Sequence, residues 1–218
     1  ESGFNMALKA LVQPQQNVVV QTPNYPPLRH APGHWGLNKV ELEFNAQADG
    51  TYATPLDALR ESLHGGGALL LSNPHNPIGK VFGREELQAV ADICVAQDAW
   101  IISDEIHAEL CYDGRVHIPT ASLSPEIARR TITLMSASKA YNVAGLKTSF
   151  MIIQDAALRE RVNHARCGMV DSVNPLGMEA TRVAYSEAGP WLEALKQYLQ
   201  ANRDWLVDAV RNRLPGVT

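Results

Sequence analysis

Two hydrophobic periods alternate along this chain, one typical of strands and one typical of helices. Apolar or β-branched runs predict strands over 17–21, 68–72, 99–103, 131–135 and 148–153, and an exposed strand over 39–44. Helical spacing predicts helices over 3–11, 55–63, 84–97, 155–166, 175–186 and 191–214. Strands that alternate with helices predict an α/β fold, a three-layer α/β/α sandwich with a mainly parallel sheet.

Prolines and glycines mark where these elements are expected to stop. Residues 22–32 are dense in proline and are predicted to form a loop. The three glycines at 65–67 end the helix over 55–63. Residues 73–79, Asn-Pro-His-Asn-Pro-Ile-Gly, predict a turn cluster directly after a buried strand.

Composition excludes several classes of protein. The 218 residues are 45% hydrophobic and 19% charged, which suits a globular protein with a sizeable core. A net charge of −4 with scattered Lys and Arg gives no reason to expect nucleic acid or a membrane as partner, and the apolar runs are too short to span a bilayer. Cys94, Cys111 and Cys167 are odd in number and widely spaced, which predicts reduced thiols in a cytoplasmic protein.

The two ends are expected to be parts of a longer protein. The first helix has almost no preceding residue to cap it, and residues 214–218 predict a turn into a strand that does not follow. We therefore expect residues 1–190 to form a large domain shortened at its N-terminus. Residues 191–218 are expected to form a long helix and a turn that lead toward a small C-terminal domain outside this chain.

A lysine and a carboxylate each follow a predicted buried strand. Lys139 ends the sequence Ser-Ala-Ser-Lys after strand 131–135, and Asp104 follows strand 99–103. Ligands of parallel sheets bind beyond the carboxyl ends of the strands, so we expect these two groups to face one site. The pairing suits pyridoxal phosphate (PLP), whose aldehyde forms a Schiff base with a lysine and whose pyridine nitrogen is kept protonated by a carboxylate.

Each motif also has a plainer interpretation when it is taken alone. Short Ser/Lys strings are common by chance, and residues 73–79 have the composition of an ordinary turn. Asp104 could equally be the N-cap of a helix over 105–109, and a carboxylate in that position can also face a ligand.

Further side chains are candidates to contact the PLP ring. Asn76 could donate a hydrogen bond to its phenolate oxygen. Tyr25, held between prolines, could stack on the ring or simply pack on the core. His107 lies three residues after Asp104, and it either contacts the cofactor or is satisfied within a helix.

A metal site is not expected. His30 and His34 have the spacing of helical metal ligands, but Pro32 and Gly33 between them disfavour a helix.

Three segments carry a specific resemblance. They are residues 72–81 (Ser-Asn-Pro-His-Asn-Pro-Ile-Gly-Lys-Val), 103–107 (Ser-Asp-Glu-Ile-His) and 136–147 (Ser-Ala-Ser-Lys-Ala-Tyr-Asn-Val-Ala-Gly-Leu-Lys). Together they resemble the fold-type I PLP enzymes of aminotransferase class I/II, and most of all their cystathionine β-lyase (MalY/PatB-like) branch. The match covers nearly the whole chain, with the family's order and spacing.

The resemblance implies a role for each candidate. Lys139 would be the Schiff-base lysine, Asp104 the partner of the pyridinium, Asn76 the ligand of the phenolate oxygen, and Tyr25 the stacking ring. Residues 1–190 would be the large PLP-binding domain. The phosphate would be held by Ser136, Ser138 and Lys147.

The chain departs from the family's usual pattern at two positions. His107 stands where transaminases usually carry tyrosine. Lys147 stands where many relatives carry arginine, so it would bind phosphate without bidentate geometry. The family's backbone phosphate-binding turn would lie at or before Glu1, and its arginine for the substrate carboxylate would lie beyond Thr218.

The activity implied by the resemblance is C–S β-elimination. The substrate would be cystathionine or another cysteine thioether, S-conjugate or sulfoxide, and the products would be pyruvate, ammonia and a thiol-type compound. The Lys139 amine would remove the α-proton. An aminotransferase is the alternative, since both reactions share one carbanion, and a PLP-sensing domain of a transcription regulator is a third. Relatives complete their sites across a dimer, so a homodimer is expected.

Overall fold

A six-stranded sheet forms the centre of the molecule. The computed structural model describes residues 1–168, 170 and 172–217. The strands in chain order are β1 (Asn17–Thr22), β2 (Asn38–Glu43), β3 (Asn45–Ala46), β4 (Tyr52–Ala53), β5 (Gly67–Ser72), β6 (Ala99–Asp104), β7 (Thr131–Met135) and β8 (Phe150–Ile152). The order in the central sheet is β2-β1-β5-β6-β7-β8, and β3 pairs with β4 in a separate hairpin.

The sheet is mainly parallel, as the sequence predicts. All neighbouring pairs from β2 to β7 are parallel, and β8 alone runs antiparallel to β7. The helices are α1 (Ser2–Leu11), α2 (Pro26–His34), α3 (Leu56–Ser62), α4 (Arg84–Ala96), α5 (Pro125–Arg129), α6 (Ala156–His164), α7 (Pro175–Glu187) and α8 (Gly189–Arg213).

Helices cover both faces of the sheet, so the predicted three-layer α/β/α sandwich is confirmed. One apolar core joins α1, α2 and α6 to the sheet, with side chains that include Leu8, Leu28, Leu158, Val18, Leu70 and Ile102. The other joins α3, α4 and α5 to the opposite face, with side chains that include Leu59, Leu87, Ile127, Val19, Leu69 and Ile101. Burial on both faces explains why β5 is apolar along almost its whole length.

The prediction of a loop over 22–32 is wrong in part, because α2 begins at Pro26. Pro26 and Pro27 occupy the first two helical positions, where a missing N–H costs nothing. Pro32 lies near the end of the helix, and Leu28 and Ala31 are fully buried beneath it. Burial of this apolar face outweighs the poor helix propensity of proline.

Helix α8 confirms the predicted long C-terminal helix, although it begins at Gly189. It has 25 residues, of which only Leu192 and Ala209 are buried. Thr218, where the predicted C-terminal segment ends, lies outside the described residues. No helix in the described part of the chain is long and apolar enough to cross a membrane.

Gly67 is required where β5 approaches β1. Its φ is +113°, and a Cβ built on it would lie 2.1 Å from the carbonyl oxygen of Asn17, its partner in the parallel register. Gly65 also has a positive φ, +85°, but a Cβ there would meet nothing within 4 Å.

These two glycines make a matched pair for a stability test. Gly65→Ala should lower the free energy of unfolding by about 1–2 kcal/mol, since only the backbone conformation is disfavoured. Gly67→Ala should cost about 1–3 kcal/mol more, because a methyl group must also be forced against backbone. Urea denaturation measures both, and equal losses would show that the β1–β5 contact relaxes freely.

Candidate active site

A cavity of about 450 Å³ opens at the carboxyl ends of the parallel strands. Every site residue predicted from the sequence lines it: Tyr25, Asn76, Asp104, His107, Ser136, Ser138, Lys139 and Lys147. The structure therefore brings together side chains that lie up to about half the chain apart. Their roles toward a cofactor stay predictions.

Strand register places these groups side by side. Asp104 is the last residue of β6, where it pairs with Ser72 of β5 on one side and Leu134 of β7 on the other. The turn after β5 carries Asn76, and the turn after β7 carries Lys139. Parallel strands that end at one level thus deliver an amide, a carboxylate and an amine to the same edge.

The Asp104 carboxylate is held by the backbone that follows it. Its Oδ1 accepts a hydrogen bond from the Ile106 N–H at 3.3 Å. Residues 105–109 form turns and no α-helix, so the interpretation of Asp104 as a helix N-cap is wrong. Burial raises the pKa of Asp104, and this N–H and the nearby Lys139 charge only partly oppose the rise.

Lys139 and Asn76 present uncommitted polar groups. Within the described residues, neither side chain has a hydrogen bond or ion pair, and both line the cavity. The Lys139 charge lies near enough to lower the pKa of both Asp104 and His107. A free amine, a free amide and a buried carboxylate that would gain from a nearby cation fit the ring and aldehyde of PLP.

His107 is neutral in this setting. Burial lowers the pKa of His107 and the Lys139 charge lowers it further, while a hydrogen bond to the Pro74 carbonyl raises it. Its ring therefore faces the cavity as a polar group without adding positive charge near neutral pH.

The two predicted phosphate serines differ in what they already bind. Ser136 is 1% exposed, and its hydroxyl donates to the Thr148 carbonyl at 2.6 Å while accepting from the Ser138 N–H at 3.0 Å. The Ser138 hydroxyl lies 2.6 Å from the Ser136 oxygen and is the more exposed of the two. Ser138 can turn its hydroxyl to an anion more easily, because Ser136 would first have to release Thr148.

Lys147 has a backbone conformation that lysine seldom adopts. Its φ is +50° and its ψ is +42°, at the end of the short 3₁₀ turn over 144–146. Such strain is common where a side chain must point at a ligand. The start of α1 lines the same cavity through Glu1, Ser2 and Phe4, and a helix N-terminus also attracts anions.

Sequence reasoning missed other residues that line the cavity or support it. Ser72, Thr148 and Ser149 line it beside the predicted groups. Their places at the end of β5 and just before β8 could have suggested them. The Tyr25 hydroxyl donates to Glu1 Oε1 at 2.8 Å, a contact that no sequence pattern indicated.

A second cavity of about 620 Å³ adjoins the first and shares Asn76 and His107 with it. Its wall includes Lys80 and Arg203, whose charges are paired with neighbouring carboxylates. Among the described residues, no group of three or more His, Cys, Asp or Glu could hold a metal ion. Exposed His30 and His34 do lie on one helix, α2, so the sequence argument against a helix between them is wrong.

Comparison with known proteins assigns this geometry to a family. The family described as aminotransferase class I and II matches residues 2–218. The chain belongs to this family. Among its relatives is cystathionine beta-lyase PatB of Bacillus subtilis (strain 168), which is 34% identical over 220 residues, or 99% of this chain and 56% of PatB. The family expected from the sequence motifs is thus confirmed.

Solved structures of family relatives have the same fold. The crystal structure of OvoB is 42% identical with a TM-score of 0.93, over 99% of this chain and 57% of that one. A PLP-bound C-S lyase from Staphylococcus hominis is 32% identical with a TM-score of 0.91, over 98% of this chain and 55% of that one. The chain spans about half the length of these relatives.

The raised pKa of Asp104 leads to a stability test. Asp104→Asn keeps an oxygen for the Ile106 N–H but removes the charge. The folded protein holds the Asp104 proton more tightly than the unfolded chain does, so the ionised carboxylate lowers stability as pH rises above the unfolded value of 3.8. Without PLP, the variant should therefore have the higher free energy of unfolding near neutral pH, with the difference vanishing well below that value.

Chemical denaturation across this pH range checks the prediction. Asp92→Asn on α4 is the control, since Asp92 is exposed and far along the chain from the cavity. A loss of stability in Asp104→Asn near neutral pH would show that the carboxylate supports the fold.

Proposed function

We propose that this chain holds PLP on Lys139 and forms part of a C–S β-lyase. The proposed substrate is cystathionine or another cysteine thioether or S-conjugate, including a sulfoxide. The observation that carries the proposal is the meeting of Lys139, Asp104 and Asn76 around one cavity. Support comes from PatB, named a cystathionine beta-lyase, and from the PLP-bound C-S lyase, whose folds or sequences this chain resembles.

The chain's own groups divide the work as follows. PLP, when bound, supplies an electron-withdrawing ring that makes the α-proton of an attached amino acid acidic. The Asp104 carboxylate keeps a proton on the pyridine nitrogen, and Asn76 donates to the ring oxygen. The Lys139 amine takes the α-proton of the substrate. Ser138, Lys147 and the start of α1 bind the phosphate, with Ser136 holding their loop.

Elimination then breaks the bond between the β-carbon and sulfur. The sulfur leaves with the bonding electrons and is protonated to a thiol, and the remaining three-carbon fragment is hydrolysed to pyruvate and ammonia. The adjoining cavity of about 620 Å³ gives room for the sulfur-bearing side chain beside Asn76 and His107. Neutral His107, in place of a tyrosine, is the feature of this site that favours elimination.

Transamination is the alternative, because the family is described as aminotransferase class I and II. The two reactions share the removal of the α-proton by Lys139. They differ in whether a proton is returned to the cofactor or the sulfur departs first.

The assembly and location of the protein belong to the same proposal. A homodimer is supported by the large apolar side chains that α7 and α8 expose, among them Leu176, Tyr198 and Trp205. A cytoplasmic location is supported by the free thiols of all three cysteines. The division into residues 1–190 and 191–218 is supported by the sparse burial of α8.

The site of covalent attachment can be mapped directly. Borohydride reduction of the PLP-loaded protein should leave a pyridoxyl group on Lys139, because its amine is uncommitted and lines the cavity. Peptide mass spectrometry identifies the labelled lysine. Lys80 and Lys147 lie close by and serve as internal controls, and a label on either one would overturn the assignment.

The reaction can be tested with a sulfur amino acid and no keto acid. Full-length protein given L-cystathionine should release pyruvate, ammonia and a thiol, and Lys139→Ala should lose at least about 10²-fold in rate. Lactate dehydrogenase coupling measures the pyruvate. Turnover that depends on added 2-oxoglutarate, with the pyridoxamine form accumulating in its absence, would establish the aminotransferase instead.

A further inference from the structure

Two buried polar side chains lie behind the loops that carry Tyr25 and Asn76. Asn24 is 7% exposed and His75 is 3% exposed, and neither lines the 450 Å³ cavity. The Asn24 Nδ2 lies 3.3 Å from the His75 Nε2. We infer that Asn24 and His75 are a positioning pair, which fixes the stacking ring of Tyr25 relative to the amide of Asn76. The inference rests on the proposed binding of PLP between those two groups.

The hydrogen bonds of Asn24 define the direction of this contact. Its Oδ1 accepts from the Tyr25 N–H at 2.8 Å, so the other end of the amide is the NH₂ group. One hydrogen of that group goes to the Gln21 carbonyl at 2.8 Å. The second is left for His75, whose Nε2 must therefore be the acceptor.

His75 is held in the form that can accept. Burial lowers its pKa to about 4, and the charges of Lys80 and His107 act in the same direction, so the ring is neutral near pH 7. Its ring packs edge-on to Phe44 with centroids 5.0 Å apart. With Nε2 accepting, the proton sits on Nδ1, which is buried and has no partner.

The turn closes around His75 through its backbone. The His75 N–H donates to the Lys80 carbonyl at 2.7 Å, and its carbonyl accepts from the Gly79 N–H at 2.9 Å. Asn76 follows directly, so movement of the His75 ring moves Asn76. Within the described residues, the bond to Asn24 is the one hydrogen bond that joins residues 23–25 to residues 73–79.

A purely apolar role does not explain this choice of residue. A buried imidazole with an unpaired Nδ1 costs free energy that an apolar side chain against Phe44 would avoid. The retained polar group gains one contact, the bond to Asn24, and that contact connects the two loops on which the ring-holding side chains lie.

A matched pair of substitutions separates this role from packing. His75→Gln keeps an acceptor near the position of Nε2, whereas His75→Asn places its amide near Nδ1 and loses that acceptor. PLP affinity is measured by titrating PLP into the full-length protein from which it has been stripped. Circular dichroism at the PLP absorption band reports how rigidly the ring is held, and the melting temperature is recorded for each variant.

We expect His75→Asn to raise the PLP dissociation constant about three- to tenfold, the effect of one lost hydrogen bond, and to weaken the dichroic band. His75→Gln should stay near the unaltered protein in both. Asn24→Ala should weaken binding too, and His75→Asn should add little in that background. His64→Asn and His64→Gln, at an exposed position before β5, should change nothing.

The outcomes distinguish this inference from the proposed function. If the unaltered protein binds PLP and the Asn and Gln variants have equal affinities and dichroic bands, or differ only in melting temperature, the positioning role is overturned alone. If His75→Asn does not fold, Asn24→Ala compared with His75→Gln decides the same point. If the unaltered protein binds no PLP, the proposed function and this inference fall together.

Discussion

The parallel register of β5, β6 and β7 is the constraint on which the site depends. Both faces of these strands are buried under helices, so polar groups within them would have no water to bind. Polarity therefore concentrates where the strands end. Asp104 pairs with Ser72 and Leu134 in that register, which fixes the carboxylate between the turns that bear Asn76 and Lys139. A slip of one residue would turn Asp104 into the core.

The electrostatics of the site are unbalanced in a way that suits a cationic ring. Burial disfavours the charge on Asp104, and the opposing help from the Ile106 N–H is a single long hydrogen bond. The same burial keeps His107 neutral and leaves Lys139 as the nearby cation. A protonated pyridine nitrogen beside Asp104 would offset the cost of burying the carboxylate, so affinity for the ring and the destabilised carboxylate have one cause.

Periodicity predicted the layers and the location of the site, and it failed where burial competes with propensity. The apolar strand 68–72 and the helix 84–97 could be recognised because their patterns match their surroundings. Helix α2 could not, because the burial of Leu28 that overrides its prolines is a tertiary effect. The turns over 105–109 were likewise unforeseen, since helix propensity carries no information on how the chain must leave β6.

Individual roles within the site depend on contacts that no motif contains. Ser136 and Ser138 are equivalent in the sequence, but the Thr148 carbonyl occupies one hydroxyl and leaves the other near the cavity. In the same way His75 and Asn76 are neighbours, and opposite orientations direct one to Asn24 behind the loop and the other to the cavity. A motif therefore specifies a loop as a unit, in which one residue meets the ligand because its neighbour is anchored to the protein.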